Sequence, residues 1–212
     1  MATLIGRNTR VEVESTLDAA KVVTAITKAN PGVATSTAHG YANGDVVVLK
    51  DIVGMTELDG QIVRAANIAT NTFELEGIDT TLFGTFTSGN AHKISVWTTL
   101  GEARSLNAGG ISPNKLDSTT LLDSEKQFVL GQSETPEVTV EQLANPLAAA
   151  AVKVETAART AAALGFRVTL SDSSKRIFRG YVSLPAENIP LSDLVTASFS
   201  IVQIKRRLAY AS

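Results

Sequence analysis

The sequence predicts a mainly β protein with one helix, and three observations support that fold class. Short segments such as 10–14 and 137–141 alternate apolar and polar residues, a period of two that is typical of strands. Turn-forming glycine, asparagine and proline residues recur between these segments. A single alanine-rich stretch, 146–164, has high helix propensity.

The strands follow one another at short intervals along the whole chain. The alternation predicts one buried face for the first strand. Phe73 and Leu75 alternate with polar residues in a later strand, so both are expected in the core. Strands are predicted at 10–14, 21–26, 45–49, 61–66, 72–76, 126–130, 137–141, 166–170, 176–182 and 194–204.

The helix has start and stop signals at both ends. Asn145 suits an N-cap with Pro146 at the first helical position, and Gly165 suits the stop. An apolar stripe is expected on the face that contacts a sheet, made of Leu147, Val154, Ala158, Ala161 and Leu164.

A shift in charge predicts two domains. Residues 24–95 contain four Lys or Arg and seven Asp or Glu, a net charge of −3, whereas 1–23 are neutral and 96–212 carry +1. We expect 24–95 to be an inserted small all-β module, and 1–23 with 96–212 to form one discontinuous domain.

The segment 107–123 is rich in glycine, proline and short polar residues, so it is expected to be the extended part of a long loop that runs to about residue 131. A loop this long within a domain is uncommon and is usually functional. We therefore expect it to be a contact arm.

The residue types exclude most enzyme classes. The chain has no cysteine, and its two histidines, His39 and His92, stand alone and are expected to be surface or turn residues. Phosphate-binding loops and the nucleophile elbow are absent. Asp117, Asp123 and Glu125 lack the spacing of a calcium loop and are expected to cap turns. No enzymatic activity, cofactor or metal is expected.

Charge and hydropathy argue against nucleic-acid and membrane binding. The net charge is −2, and the only basic run is Lys205-Arg206-Arg207, which we expect to be solvated or paired with a neighbouring subunit. The N-terminus lacks the apolar core of a signal peptide, and no apolar run is long enough to span a membrane.

A longer pattern resembles a known family. The stretch 117–131, followed by Glu137-Val-Thr-Val, resembles the major tail tube protein of long-tailed (siphovirus-type) bacteriophages. The alanine-rich helix, the hairpin at 166–182 and the closing strand follow in the family's order. The likeness covers 1–23 and 96–212, and its matching residues are Asp117, Thr119, Thr120, Asp123, Phe128 and Gly131.

The middle segment has a likeness of its own. Ala38-His39-Gly40, Asn43-Gly44-Asp45, 54–60 and 72–75 are similar to a small β module found in phage tail proteins. That module is often named after a non-catalytic β region of ubiquitin-activating enzymes. The resemblance implies that it forms an outer decoration on the tube domain.

The resemblance implies a β-sandwich or barrel with a flanking helix, of which six copies form a ring. Stacked rings would form a hollow virion tail tube, built in the host cytoplasm, through which the genome passes. The implied partners are further copies of the chain, a tape measure protein in the lumen, and terminator and tail-tip or baseplate proteins at the ends. Double-stranded DNA in transit would not be bound specifically.

Contacts between subunits are expected from the long loop and, secondarily, from both termini. The loop candidates are Asn107, Ile111, Asn114, Lys115, Leu116, Asp117, Thr119, Thr120, Leu121, Asp123 and Phe128. The terminal candidates, within 1–10 and around the tail 208–212, are Arg7, Arg10, Arg206 and Arg207.

Two alternatives remain open. One is the inner tube of a contractile tail or secretion system, whose core fold would be similar. The other is a host-surface-binding tail module, which exposed aromatic residues of the insert would support; the candidates are Tyr41, Phe73, Phe83 and Phe86.

Overall fold

The computed structural model describes residues 8–101, 103–110, 113–133 and 135–211, and within them the chain is mainly β with one α-helix. In chain order the elements are β1 (Arg10–Leu17), β2 (Lys21–Val23), β3 (Ala25–Ile26), β4 (Val33–Thr35), β5 (Val46–Val53), a 3-10 turn (Thr56–Leu58), β6 (Ile62–Ala66), β7 (Thr72–Leu75), β8 (Ser88–Thr99), β9 (Ala103–Ala108), β10 (Pro113–Asp117), β11 (Phe128–Ser133), β12 (Glu137–Leu143), α1 (Ala149–Thr160), β13 (Leu164–Thr169), β14 (Lys175–Val182), β15 (Ala186–Asn188), β16 (Thr196–Gln203) and β17 (Leu208–Tyr210).

One curled antiparallel sheet contains every strand except β10 and β11. Its main path runs β3-β4-β7-β6-β5-β8-β1-β13-β14-β16-β12-β9, with β2 on β8, β15 on β16 and β17 on β14. The long strand β8 lies in the middle of this path and joins its two halves. Its first half pairs with β2 and β5, and its second half pairs with β1 through a register shift near Thr16.

Two clusters of buried apolar side chains lie on this sheet. The first is built from residues between Val23 and Ile94 and also takes in Ile177, Leu208 and Tyr210. The second is built from β1, β12, β13, β14, β16 and α1. Phe166 and Phe178 face each other across β13 and β14 in the second cluster, with ring centroids 5.5 Å apart.

Strand β1 is buried on both faces, and this differs from the single buried face that alternation predicts. Val11 and Val13 belong to the second core, while Glu12 and Glu14 on the opposite face are each 5% exposed. Arg167 Nε donates a 2.7 Å hydrogen bond to Glu12 Oε2. The polar face is therefore covered by charged partners rather than by water.

Helix α1 is shorter than the predicted 146–164, because a turn precedes it and a left-handed residue ends it. The main-chain oxygen of Asn145 accepts a hydrogen bond from Ala148, the N-cap, and the helix begins after that turn. Ala161 has φ +50°, and the N–H of Ala162 donates to Ala157 O. Gly165, the predicted stop, lies in β13 instead.

The buried face of α1 shares Val154 with the predicted stripe and otherwise differs from it. Ala150, Val154 and Ala157 are buried, whereas Leu147 is 90% exposed. The small side chains let the helix lie close to β1 and β14.

Candidate assembly surface

A two-stranded hairpin projects from the main sheet, where the sequence predicts an extended loop followed by a strand at 126–130. We call residues 113–133 the arm; β10 and β11 pair antiparallel with each other and with no other strand in the described chain. Every residue of β10 is exposed, and so is every residue of β11 except Gly131, which is partly buried. The register fixes Asp117 opposite Phe128.

The end of the arm is held by side-chain hydrogen bonds. Asp117 Oδ1 accepts from the main-chain N–H of Thr119, and Asp123 Oδ2 accepts from both the main chain and the hydroxyl of Thr120. Thr119 Oγ1 in turn accepts from the N–H of Gln127. The hydroxyl and N–H of Thr119 lower the pKa of Asp117, and those of Thr120 lower the pKa of Asp123.

These contacts explain the sequence motif in physical terms. The connection between β10 and β11 is stabilised by the side chains of Asp117, Thr119, Thr120 and Asp123. The spacing of these residues in the sequence therefore stabilises the conformation of the arm.

The arm presents large apolar side chains to solvent on both faces and at its end. Lys115 Nζ lies 5.1 Å from the Phe128 ring centroid and covers part of it. The exposed apolar residues, each more than half exposed, are Leu116, Leu121, Leu122, Phe128, Val129 and Leu130. Soluble monomers rarely expose such a group together, and it marks an interaction surface.

The predicted loop contacts mostly fall on this arm. Asn107 lies outside it, in β9, opposite Thr139 of β12. Ile111 lies outside the described residues. The arm contains Asn114, Lys115, Leu116, Asp117, Thr119, Thr120, Leu121, Asp123 and Phe128. Composition predicted the location of the arm, but Leu122, Val129 and Leu130 were not among the candidates.

A cleft that the sequence did not reveal opens next to the base of the arm. We call it the arginine cleft: it has a volume of about 470 Å³ and lies between β9 and the face of β1, β13 and β14. Its apolar lining includes Leu106, Val168 and Phe178, and its charged lining is Arg104, Arg176 and Arg207. The three arginines are far apart in sequence, so no local pattern indicates the cleft.

The terminal candidates are distributed over different environments. Arg7 lies outside the described residues. Arg10 is exposed in β1, with its Nη1 3.8 Å from Glu12 Oε1. The main-chain oxygen of the exposed Arg206 accepts a hydrogen bond from Gln61 Nε2. Arg207 lines the arginine cleft.

The C-terminal strand is docked on its own subunit. Leu208 is 5% exposed and Tyr210 is 7% exposed, and β17 pairs with β14. This segment therefore closes over the first core.

The aromatic residues of the segment 24–95 are mostly internal. Tyr41 and Phe73 are buried and pack edge to face, 5.2 Å apart, while Phe83 and Phe86 are partly buried. His39 lies in a turn, as expected, but it is buried: Nδ1 accepts from the N–H of Tyr41, and Nε2 contacts Ala69 O at 3.0 Å. The core assignment of Phe73 and Leu75 is confirmed.

The described ranges contain no group of three or more His, Asp or Glu side chains arranged to hold a metal ion. The one α-helix described is too short to cross a bilayer, and no other described helix qualifies.

Comparison with known proteins points to one family. The family model described as phage tail tube protein, TTP, matches residues 53–201, which are 149 of the 212 residues. The match includes the arm, the part of the second core from Leu100 to Ile201, and the later part of the expected insert. A search of curated proteins found no match. The chain belongs to the phage tail tube protein family.

Proposed function

We propose that this chain assembles into stacked hexameric rings that form the hollow tail tube of a phage, through which the genome passes. Family membership establishes a structural role in a phage tail, and such families are typically non-enzymatic. The ring number and the passage of the genome are the proposed part.

The single observation that carries self-assembly is the exposed arm. A two-stranded hairpin alone is at best marginally stable in water. The arm has no third strand in the described chain, yet it carries six exposed large apolar side chains. A neighbouring copy that covers those side chains would remove them from water and stabilise the hairpin.

The edge of the main sheet supplies a second route to contact. Strand β9 ends the sheet path, so one of its sides has no strand partner in the described chain. Unpaired edges are templates for pairing with another chain. Pairing from subunit to subunit around a ring would cover this edge by a heterologous contact, which can close into a ring.

The remaining partners follow from a tube. The lumen would hold a tape measure protein before the genome passes, and terminator and tail-tip or baseplate proteins would bind the ends. A chain of net charge −2 has no broad basic surface that would retain DNA phosphates, which suits transit without specific binding. We propose that 24–95 form an outer decoration on a tube domain made of 1–23 and 96–212. The protein would reach the virion tail after assembly in the host cytoplasm.

Electron microscopy of the purified chain over a concentration series tests this function. The expected result is hollow tubes or six-fold rings that become more frequent with concentration. A closed two-fold dimer at every concentration would contradict it.

A variant with 113–133 replaced by a short glycine-serine linker isolates the role of the arm. We expect it to stay folded by circular dichroism and to remain as monomers or single rings. Tubes of normal length from this variant would contradict the role proposed for the arm.

A further inference from the structure

The arginine cleft combines an apolar floor with an unpaired cationic rim. Arg104, Arg176 and Arg207 line it, and none of the three forms an ion pair within 4 Å of a carboxylate among the described residues. The hydroxyl and N–H of Ser174 lower the pKa of Asp172, and the charge of Arg176 adds a smaller effect in the same direction. Thr9 Oγ1, on the same lining, is a buried oxygen without a hydrogen-bond partner in the described chain.

The end of the arm has the opposite character. Leu121 and Leu122 are fully exposed side by side, with relative exposures of 106% and 97%. Three carboxylates surround them in sequence, at Asp117, Asp123 and Glu125. The segment 117–125 carries no basic residue, so it presents two apolar side chains framed by three negative charges.

The end of the arm does not fill the cleft of its own subunit. No arm residue lines the cleft, whose wall is β9, the strand from which the chain leads into the arm. The five residues of β10 extend the hairpin by roughly 17 Å before its return begins. The cleft therefore lies beside the base of the arm, and an arm end that enters a cleft comes from another copy.

We propose that the end of the arm of one subunit, residues 117–125, docks in the arginine cleft of a neighbouring subunit. Leu121 and Leu122 contact the apolar floor, and the carboxylates face the arginine rim. The contact is heterologous, because the two surfaces differ, so it can repeat from copy to copy without closing on itself. This inference rests on the proposed tube function and adds the surface that receives the arm.

Thiol cross-linking tests the contact directly, because the natural chain has no cysteine. One full-length variant carries Leu121→Cys, and a second carries Ala108→Cys on the partly buried cleft wall. Mixed and assembled, they are treated with a short bismaleimide and analysed by peptide mass spectrometry. The matched control replaces Ala108→Cys with Ala25→Cys, an exposed alanine in β3 of the insert.

Docking brings the two thiols to an effective concentration on the order of mM, so we expect Leu121→Cys to cross-link to Ala108→Cys about a thousandfold faster than to Ala25→Cys at micromolar protein. Tubes without this preference would overturn the docking and leave the tube function standing. Failure of the natural chain to form any ring or tube would overturn the tube function and the docking together.

A mixture of two assembly-defective variants gives an independent readout. Leu121→Asp with Leu122→Asp damages the arm end but keeps the cleft, whereas Arg104→Glu with Arg207→Glu damages the cleft but keeps the arm end. We expect each variant alone to form no stacked tubes. In the mixture, the intact arm end of one variant can dock in the intact cleft of the other, so the mixture should sediment as a heterodimer or a pair of rings. Normal tubes from either variant alone would overturn the proposal.

Discussion

Tyr210 of β17 packs on and hydrogen-bonds to Arg64 of β6. The Arg64 guanidinium lies 4.4 Å from the Tyr210 ring centroid, and the main-chain N–H of Arg64 donates a 3.1 Å hydrogen bond to the tyrosine oxygen. The tyrosine hydroxyl donates to Glu76 O at 3.1 Å, and Glu76 forms an ion pair with Arg64. Strand β17, which pairs with β14, is therefore also linked to Arg64 in β6 and to Glu76.

We expect Tyr210→Phe to lower the free energy of unfolding by about 1–2 kcal/mol, because two partly buried hydrogen bonds are lost while the ring stays. Tyr210→Ala should cost about 3–5 kcal/mol, since it also empties part of the first core. Urea denaturation measures both. Tyr181→Phe, at a half-exposed tyrosine, is the matched control and should change little. Equal losses for Tyr210→Phe and Tyr181→Phe would contradict the contribution of these two hydrogen bonds.

Glu14 gives the protein a pH dependence of defined sign. Burial raises its pKa above the usual 4.5, although Arg179 and the N–H of Gly165 act in the opposite direction, as do Lys50 and Lys153. Its Oε2 has no hydrogen-bond partner in the described chain. Because the folded state holds this proton more tightly than the unfolded state, stability falls as pH rises from about 4.5 through the folded-state pKa.

Glu14→Gln removes that dependence. We expect the free energy of unfolding of the variant to increase relative to that of the natural chain as pH rises through this window. Urea denaturation at several pH values measures the trend, and Glu187→Gln, at an exposed carboxylate in β15, is the control. A difference that stays constant with pH for Glu14→Gln would show that Glu14 titrates normally.

Gly165 is required by close packing inside β13. A Cβ there would lie 2.7 Å from Glu14 Oε2, 3.1 Å from Ile62 Cδ1 and 3.2 Å from Ile94 Cδ1. We expect Gly165→Ala to destabilise the fold by about 1–3 kcal/mol through overpacking. Gly110→Ala, where a Cβ meets nothing within 4 Å, should be close to neutral. Thermal unfolding compares the two, and an equally stable Gly165→Ala would contradict the packing described.

Substitutions on the exposed face of the arm should weaken assembly without changing the stability of the folded subunit. Val129→Ser with Leu130→Ser should leave the melting temperature within about 2 °C of the natural chain, since exposed substitutions usually change stability by less than 0.5 kcal/mol. The same variant should raise the concentration needed for tubes, because apolar area buried between copies is lost. Light scattering measures that concentration. Leu82→Ser, at a 95% exposed leucine of the insert, is the control; an equal effect at both sites would remove the arm from the interface.

Local patterns predicted much of this fold. Alternation identified strands such as β7 and β12, and the alanine-rich stretch identified the helix. Alternation could not show that the polar face of β1 is buried, because Arg167, which bonds Glu12, is brought there only by the pairing of β13. The helix end was misplaced because Ala161 adopts a left-handed conformation while Gly165 is kept small by packing.

The candidate surface was predictable in part. The sequence predicted a strand at 126–130, close to β11, but glycine, proline and short polar residues obscured β10, and the pairing of Leu116 with Val129 appears only in three dimensions. The arginine cleft depends on residues 104, 176 and 207, which the sheet brings together from three separate segments. The packing of Tyr210 in β17 on Arg64 joins residues that are far apart in the sequence, so it too could not be predicted from a local pattern.

Hydrogen–deuterium exchange of the arm, compared between assembled and unassembled protein, tests the central claim most directly. Main-chain N–H groups in 113–117 and 128–133 lie in a hairpin without a third strand, so they should exchange quickly in the free subunit. We predict strong protection of these two segments on assembly, with little change in the buried strand β7. Tubes in which the arm exchanges as fast as in the free subunit would contradict the claim that a neighbouring copy covers it.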